Sequence, residues 1–152
     1  MLEIGKQAPD FTITLGSGER FTLSEHRGKN VVMFFYPRAF THGCRVEVGS
    51  FCESYDELVA RDAIVIGIST DGVDRVKRFG ESVGTPFELG SDKAGEIRRL
   101  YDVRRRFGLG TSRVTYVIDR DGVIRDAFHN EIVMGGHVLS ALRTLERIEQ
   151  GA

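Results

Sequence analysis

Two nearly unbroken apolar runs, VVMFFY from Val31 and AIVIGIST from Ala63, break a pattern that elsewhere alternates at strand or helix period. Their length and their β-branched and aromatic content predict strands covered on both faces, and therefore central in a sheet. Pro37 stops the first run, because it has no amide to donate and fixes its own backbone. Ahead of it, FTITL and RFTL alternate around GSGE, the pattern of a β-hairpin with a glycine-bearing turn. A short turn, SEHRGKN, joins the hairpin to the first run, and His26 in it reads as a solvated surface residue.

Helical spacing begins at about Thr41, where Val48, Phe51, Tyr55 and Leu58 recur at three and four residues and predict one long helix. After the second run, Thr70 or Asp71 is placed to cap a helix with an inner stripe of Val73, Val76, Phe79 and Val83, closed by Gly84 and the Thr85-Pro86 pair. PFELGSD predicts a short edge strand, and KAGEIRRLY a short helix burying Ile97, Leu100 and Tyr101. RVTYVIDRDGVIRDAF gives two strands around Asp121-Gly122, a hairpin signal. GGHVLSALRTLERIE gives an amphipathic helix with Val138, Leu142, Leu145 and Ile148 inward. This order of elements predicts an α/β sandwich around a mixed sheet. The basic loop VRRRFGLGTS, with Arg104, Arg105 and Arg106, reads as a solvated connection, the alternative being a partner-docking surface.

A length of 152 residues at 41% hydrophobic content suits one globular domain, residues 1–152. The net charge of −1 supplies no basic field for nucleic acid. No apolar run approaches the roughly 18 residues of a membrane span. MLEIGKQAPDF lacks the basic start and long apolar stretch of a secretory signal, so a cytoplasmic location is expected. In such a reducing compartment two cysteines point to chemistry rather than to a structural staple.

Cys44 falls in or near the first turn of the predicted long helix, where free amides and the positive end of the helix dipole favour a thiolate. The competing reading is a small buried hydrophobe. A strand, a proline stop, a hydroxyl residue and a cysteine at a helix start favour the reactive thiol. Thr41 lies three residues earlier, so its hydroxyl can face the sulfur, cap the helix, or do both. Glu47 lies three residues later on the same face, and a carboxylate that close to a thiolate needs a partner of opposite charge. Cys52 follows Cys44 by eight residues, about 12 Å of helical rise, whereas a disulfide needs Cα atoms within about 7 Å. With Phe51 and Tyr55 inward, Cys52 is expected on the outer face. An internal disulfide would require unwinding; resolution between chains and a one-cysteine cycle with an external thiol are the other options. The chain has no Cys-x-x-Cys pair, and its cysteine spacing with scattered histidines does not make a four-ligand zinc site.

Pro37, Thr41 and Cys44 match the Pro-x-x-x-Thr-x-x-Cys motif of the peroxiredoxins. The resemblance extends through GKQAPDFTI, FFYPRAFTHGC, IVIGISTDGVDRVKRF and SRVTYVIDRDGVI, and ISTD and YVIDRDG most resemble the bacterioferritin-comigratory, or Q-type, subgroup. It implies a thioredoxin-like fold, a mixed central sheet flanked by helices with an N-terminal β-hairpin extension. It also implies a thiol-dependent peroxidase that reduces hydrogen peroxide and small alkyl hydroperoxides through a sulfenic acid at Cys44, without cofactor or metal. The implied partners are a peroxide and thioredoxin or another thiol reductant, with no nucleic acid or membrane, for a monomer or homodimer. In the resembling family an arginine at the place of Arg113 reaches the cysteine and polarises the peroxide, as a permanently charged planar fork can. A residue at the place of Glu47 orients that arginine, Pro37 shields the thiolate, and the Gly43 and Cys44 amides face the oxygens. This chain departs from the pattern at His42 and Arg45, where proline and threonine are usual; Arg45 adds positive charge, with its side chain expected toward water. Gly49 stands where many Q-type members carry a resolving cysteine. A peroxide-responsive redox sensor, or a non-catalytic thioredoxin-like interaction module, is the alternative to an enzyme.

Overall fold

A computed structural model describes residues 1–104 and 110–151. The strands are β1 (Thr12–Leu15), β2 (Arg20–Thr22), β3 (Asn30–Phe35), β4 (Ala63–Ser69), β5 (Glu88–Ser91), β6 (Val114–Ile118) and β7 (Ile124–His129). They form one seven-stranded mixed sheet in the order β2-β1-β5-β4-β3-β6-β7. Strands β3, β4 and β5 run parallel, whereas β1 and β6 pair antiparallel with both of their neighbours. The helices are α1 (His42–Glu53), α2 (Tyr55–Ala60), α3 (Val73–Val83), α4 (Glu96–Leu100) and α5 (Gly135–Glu149).

The two apolar runs are the adjacent central strands β3 and β4, and all six residues of β3 are buried. Because side chains alternate across a strand, β3 feeds two cores. Val31, Met33 and Phe35 join the hairpin residues Phe11, Ile13 and Phe21, together with Ile97 and Tyr101. Val32 and Phe34 face the other way, onto Val48 and Phe51 of α1, Leu58 of α2, Val76 and Phe79 of α3, and Leu145 of α5. Phe34 and Phe51 stack nearly flat, with centroids 4.2 Å apart and planes at 6°. Burying a ring of this kind contributes roughly 2–3 kcal/mol, enough to fix where α1 begins relative to the end of β3.

Several elements differ from the sequence reading. The long helix is interrupted at Ser54 (φ −101°, ψ 9°). Phe51 and Leu58 are seven residues apart, and a straight helix drifts about 20° over that interval; the irregular residue keeps both in the core. PFELGSD is not an edge, because β1 pairs with its far side and places β5 between β1 and β4. Gly72, not Thr70 or Asp71, is the N-cap of α3, and no side chain caps it. Gly84 ends α3 as expected, in the left-handed conformation at φ 76° that suits glycine. Leu100 is 42% exposed, since the five-residue α4 presents only one face to the core. His26 is half-buried, stacked on Phe21 with planes at 10°. Of the basic loop, Arg104 bridges Thr111, while Arg105 and Arg106 lie outside the described residues.

Candidate active site

The segment from Tyr36 to Thr41 leaves the carboxyl end of β3 and delivers the chain to α1, whose third residue is Cys44. The Cys44 side chain is completely buried. Arg113, two residues after Thr111 and just before β6, reaches across from the neighbouring strand. Its Nη1 donates to Cys44 Sγ at 3.3 Å and to Glu47 Oε1 at 3.0 Å. The i, i+3 spacing therefore brings Cys44 and Glu47 onto one guanidinium. Backbone groups pin that guanidinium's own residue, since the Arg113 amide donates to Glu131 Oε2 at 2.9 Å and Glu131 also meets His129 Nε2 at 2.7 Å.

Glu47 is also fully buried, and its Oε2 has no hydrogen-bond partner among the described residues. Burial pushes its carboxyl up to about 7, against the opposing pull of Arg113. Burial alone would pull the Arg113 guanidinium down; the sulfur and carboxylate beside it outweigh that and hold it above its ordinary value. One cation thus serves two acidic groups whose own side chains have no solvent-exposed surface.

Gly43 has a helical backbone, but a Cβ there would sit 2.8 Å from Arg113 Nη2. The absence of a side chain at 43 is what lets the arginine lie across the first turn of α1. Pro37 is half-buried, two residues past the end of β3. Thr41 is the N-cap residue and exposed; its hydroxyl donates to the Arg38 carbonyl at 2.9 Å and makes no side-chain cap. The predicted cap is therefore not formed, because the carbonyl of the preceding turn holds the hydroxyl. Cys52 lies in the last turn of α1, half-buried against the core and not on the outer face. Burial pushes its thiol above the ordinary value.

Three groups around the site were not read from the sequence as part of it. His137, in the first turn of α5, is completely buried with Nε2 3.7 Å from Glu47 Oε2. That Nε2 lies 2.8 Å from the Asn130 carbonyl, which can only accept, so it carries the hydrogen, and Nδ1 lies 2.8 Å from the Thr115 hydroxyl. Burial, aided by the charge of Arg113, lowers the imidazole's pKa despite the Asn130 bond. Its inward position was available from helical spacing, since Ala141, Leu145 and Ile148 follow at i+4, i+8 and i+11.

Asp71, at the end of β4, accepts from the Ala39 amide at 2.7 Å and from the Ser69 hydroxyl at 2.9 Å. It pairs with Arg75 at 3.3 Å, and Arg75 donates to the Ala39 carbonyl at 3.1 Å. Both backbone groups of Ala39 are thereby tied to α3 and the strand before it. Phe40 adopts a left-handed backbone (φ 66°), and its ring lies between the guanidinium groups of Arg45 and Arg75, 5.3 and 5.1 Å away. Arg45 is exposed, as expected, but its guanidinium is not free in solvent: it also lies over Phe79 and donates to Ser82 at 3.2 Å.

The sequence profile of the AhpC/TSA family matches residues 4–127. The peroxiredoxin Bcp of Bacillus subtilis (strain 168) is 32% identical over 155 residues, covering 98% of either chain. The crystal structure of peroxidoxin BcpB from Mycobacterium tuberculosis superposes with a TM-score of 0.90 at 33% identity, over 97% of this chain and 99% of that one. The Xanthomonas campestris bacterioferritin comigratory protein, described for its alkyl peroxide reduction activity, superposes at 0.84 with 28% identity over 91% of each chain. The mixed seven-stranded sheet with its flanking helices is thus the thioredoxin-like fold of these proteins.

Proposed function

Because the chain belongs to the AhpC/TSA family, alongside the Bcp and Q-type peroxiredoxins, it is a thiol-dependent peroxidase, and we propose that Cys44 is the sulfur that attacks the peroxide. The observation that carries this assignment is the 3.3 Å contact from Arg113 to a fully buried cysteine in the first turn of a helix. A cation and free helix amides stabilise a thiolate there. The thiolate attacks one peroxide oxygen, an S–O bond forms as the O–O bond breaks, and the other oxygen leaves as alkoxide or hydroxide and takes up a proton. The product on the enzyme is a sulfenic acid. A thiol reductant then displaces water to form a mixed disulfide, and a second thiol releases Cys44.

Arg113 stabilises both the thiolate and the leaving oxyanion, and Glu47 orients it. Gly43 leaves the guanidinium room, and its amide with that of Cys44 faces the oxygens. Pro37 shields the sulfur. Thr41 binds the peroxide after its hydroxyl rotates away from Arg38. Hydrogen peroxide and small alkyl hydroperoxides are the substrates in this reading, supported by the activity named for the X. campestris relative. Thioredoxin or another thiol is the reductant, and Cys52 resolves the sulfenic acid only in a partly unwound or intermolecular state, or takes no part. A single domain of residues 1–152 acts as a monomer or homodimer, in the cytoplasm, where a cycle of free thiols is sustained. Steady-state peroxide turnover with a thiol reductant tests the assignment. C44S should abolish consumption with the fold intact; turnover comparable to the unaltered protein would overturn it.

A further inference from the structure

The first step leaves an oxyanion that needs a proton, in a cluster that shares one cation between two acids. Arg113 Nη1 contacts both Cys44 Sγ and Glu47 Oε1, and both partners are fully buried. If sulfur and carboxylate were both ionised, the cluster would hold two anions against one guanidinium. Glu47 Oε2 would then be a buried carboxylate oxygen with no donor among the described residues, a strongly disfavoured arrangement. No neighbouring group among the described residues removes the conflict. His137 gives its Nε2 hydrogen to Asn130 and stands 3.7 Å off. Glu131, from the segment before α5, adds negative charge and is itself engaged by the Arg113 amide and His129. Tyr36, at the end of β3, is buried and held in its neutral form by desolvation.

We propose that Glu47 is the proton store of the peroxidase cycle, protonated while Cys44 is a thiolate and ionised once Cys44 is a sulfenic acid. The proposal rests on Cys44 as the attacking thiol. In the resting enzyme the charge sits on sulfur, opposite Arg113, and Glu47 is a neutral acid. Attack forms the S–O bond and breaks the O–O bond, and the electron pair leaves on the departing oxygen. The sulfur is then neutral, Arg113 has only Glu47 to pair with, and Glu47 releases its proton to give water or alcohol. Reduction by two thiols returns a Cys44 thiol, whose proton refills Glu47. Atoms and charge close over the cycle, and while Glu47 holds its resting proton the buried cluster does not carry two anions. His137 is a positioning residue in this scheme. With its one Nε2 hydrogen committed to Asn130, it leaves the far oxygen of Glu47 without a donor that would stabilise the ionised form.

The test is a single turnover with hydrogen peroxide and no reductant, in weakly buffered solution with a pH indicator. Thiolate is followed by its ultraviolet absorbance and sulfenic acid by trapping. In the pH range where the thiolate absorbance is present and Glu47 is protonated, the unaltered enzyme should lose its thiolate while taking up well under one proton per sulfenic acid from solution. E47Q, which mimics the protonated acid in shape and charge but has no proton to give, should take up about one proton per sulfenic acid. As pH rises and Glu47 loses its resting proton, uptake by the unaltered enzyme should climb toward that of E47Q. Full uptake by the unaltered enzyme at the lower pH would overturn the proposal, as would equal uptake by the two proteins. Should E47Q fail to fold, the pH dependence of the unaltered enzyme decides alone, and a flat profile overturns the store. Absence of any thiolate loss or sulfenic acid would overturn the Cys44 assignment as well, by a separate signal.

Discussion

Replacing Gly43 with alanine separates helix stability from the geometry of the arginine. The backbone at 43 is helical, so alanine is conformationally acceptable and in an exposed helix would gain up to about 1 kcal/mol. Its Cβ, however, would meet Arg113 Nη2 at 2.8 Å and Cζ at 3.5 Å. Ordinary contact begins near 3.5 Å, so the guanidinium must retreat by about 0.7 Å, on a side chain already held by Glu47 and sulfur. Complete loss of one donor to a developing oxyanion costs roughly a hundredfold to a thousandfold in rate, and a retreat of this size should cost roughly tenfold to a hundredfold. The assay is the first-turnover burst with substoichiometric hydrogen peroxide, competed against a haem peroxidase of known rate, with thermal unfolding measured alongside. G43A should melt no lower than the unaltered protein yet react slower. In the R113M background, itself expected to be about a hundredfold slow, G43A should lose little more, because both changes act on the same contact. An unchanged burst in G43A would refute the reasoning, and so would an equal loss in both backgrounds.

C52S should retain a first burst at the normal rate, since an intact α1 separates the two sulfurs by about two turns. If Cys52 resolves, its thioredoxin-supported turnover falls while small thiols still support activity; a burst as slow as that of C44S would make Cys52 part of the attack. Glu47 also predicts a pH dependence of stability. Its folded-state value near 7 lies above its ordinary 4.5, so the native state binds more protons between them and stability falls as pH rises through that window. The loss is on the order of 3 kcal/mol and should be missing from E47Q in urea denaturation series; parallel pH profiles for the two proteins would exclude it.

Local pattern carried the central strands, the β6–β7 hairpin and the inward stripe of α5, because each follows from a period of two or of 3.6. The same logic put Cys44 and Glu47 on one face, while the family resemblance supplied Arg113, 69 residues from the sulfur it contacts. Position in the sheet was less legible. The edge reading of β5 failed because pairing with β1, more than seventy residues earlier, depends on nothing within PFELGSD. Asp71 looked like a helix cap, and its acceptors were instead drawn to Ala39 by a fold that brings residues 32 apart together. Phe40, between two arginines, gave no periodic signal at all, since its role comes from a single strained loop residue.

The loop anchored by Asp71 sets a limit on traffic through the site. A peroxide of a few atoms can slip toward the sulfur, but a protein reductant must present its own thiol in line with the S–O bond of a side chain that has no exposed surface. Recycling by a protein thiol is therefore expected to need a wider opening at Cys44 than oxidation by a peroxide does. The loop contacts beside the sulfur, Ala39 with Asp71 and Arg75 and Phe40 with Arg45 and Arg75, are made with α3, the turn before it and α1. Selection for fast oxidation and for fast recycling can thus act on separate residues. The chemistry of Cys44 sets how quickly peroxide disappears, and the grip on the loop sets how often.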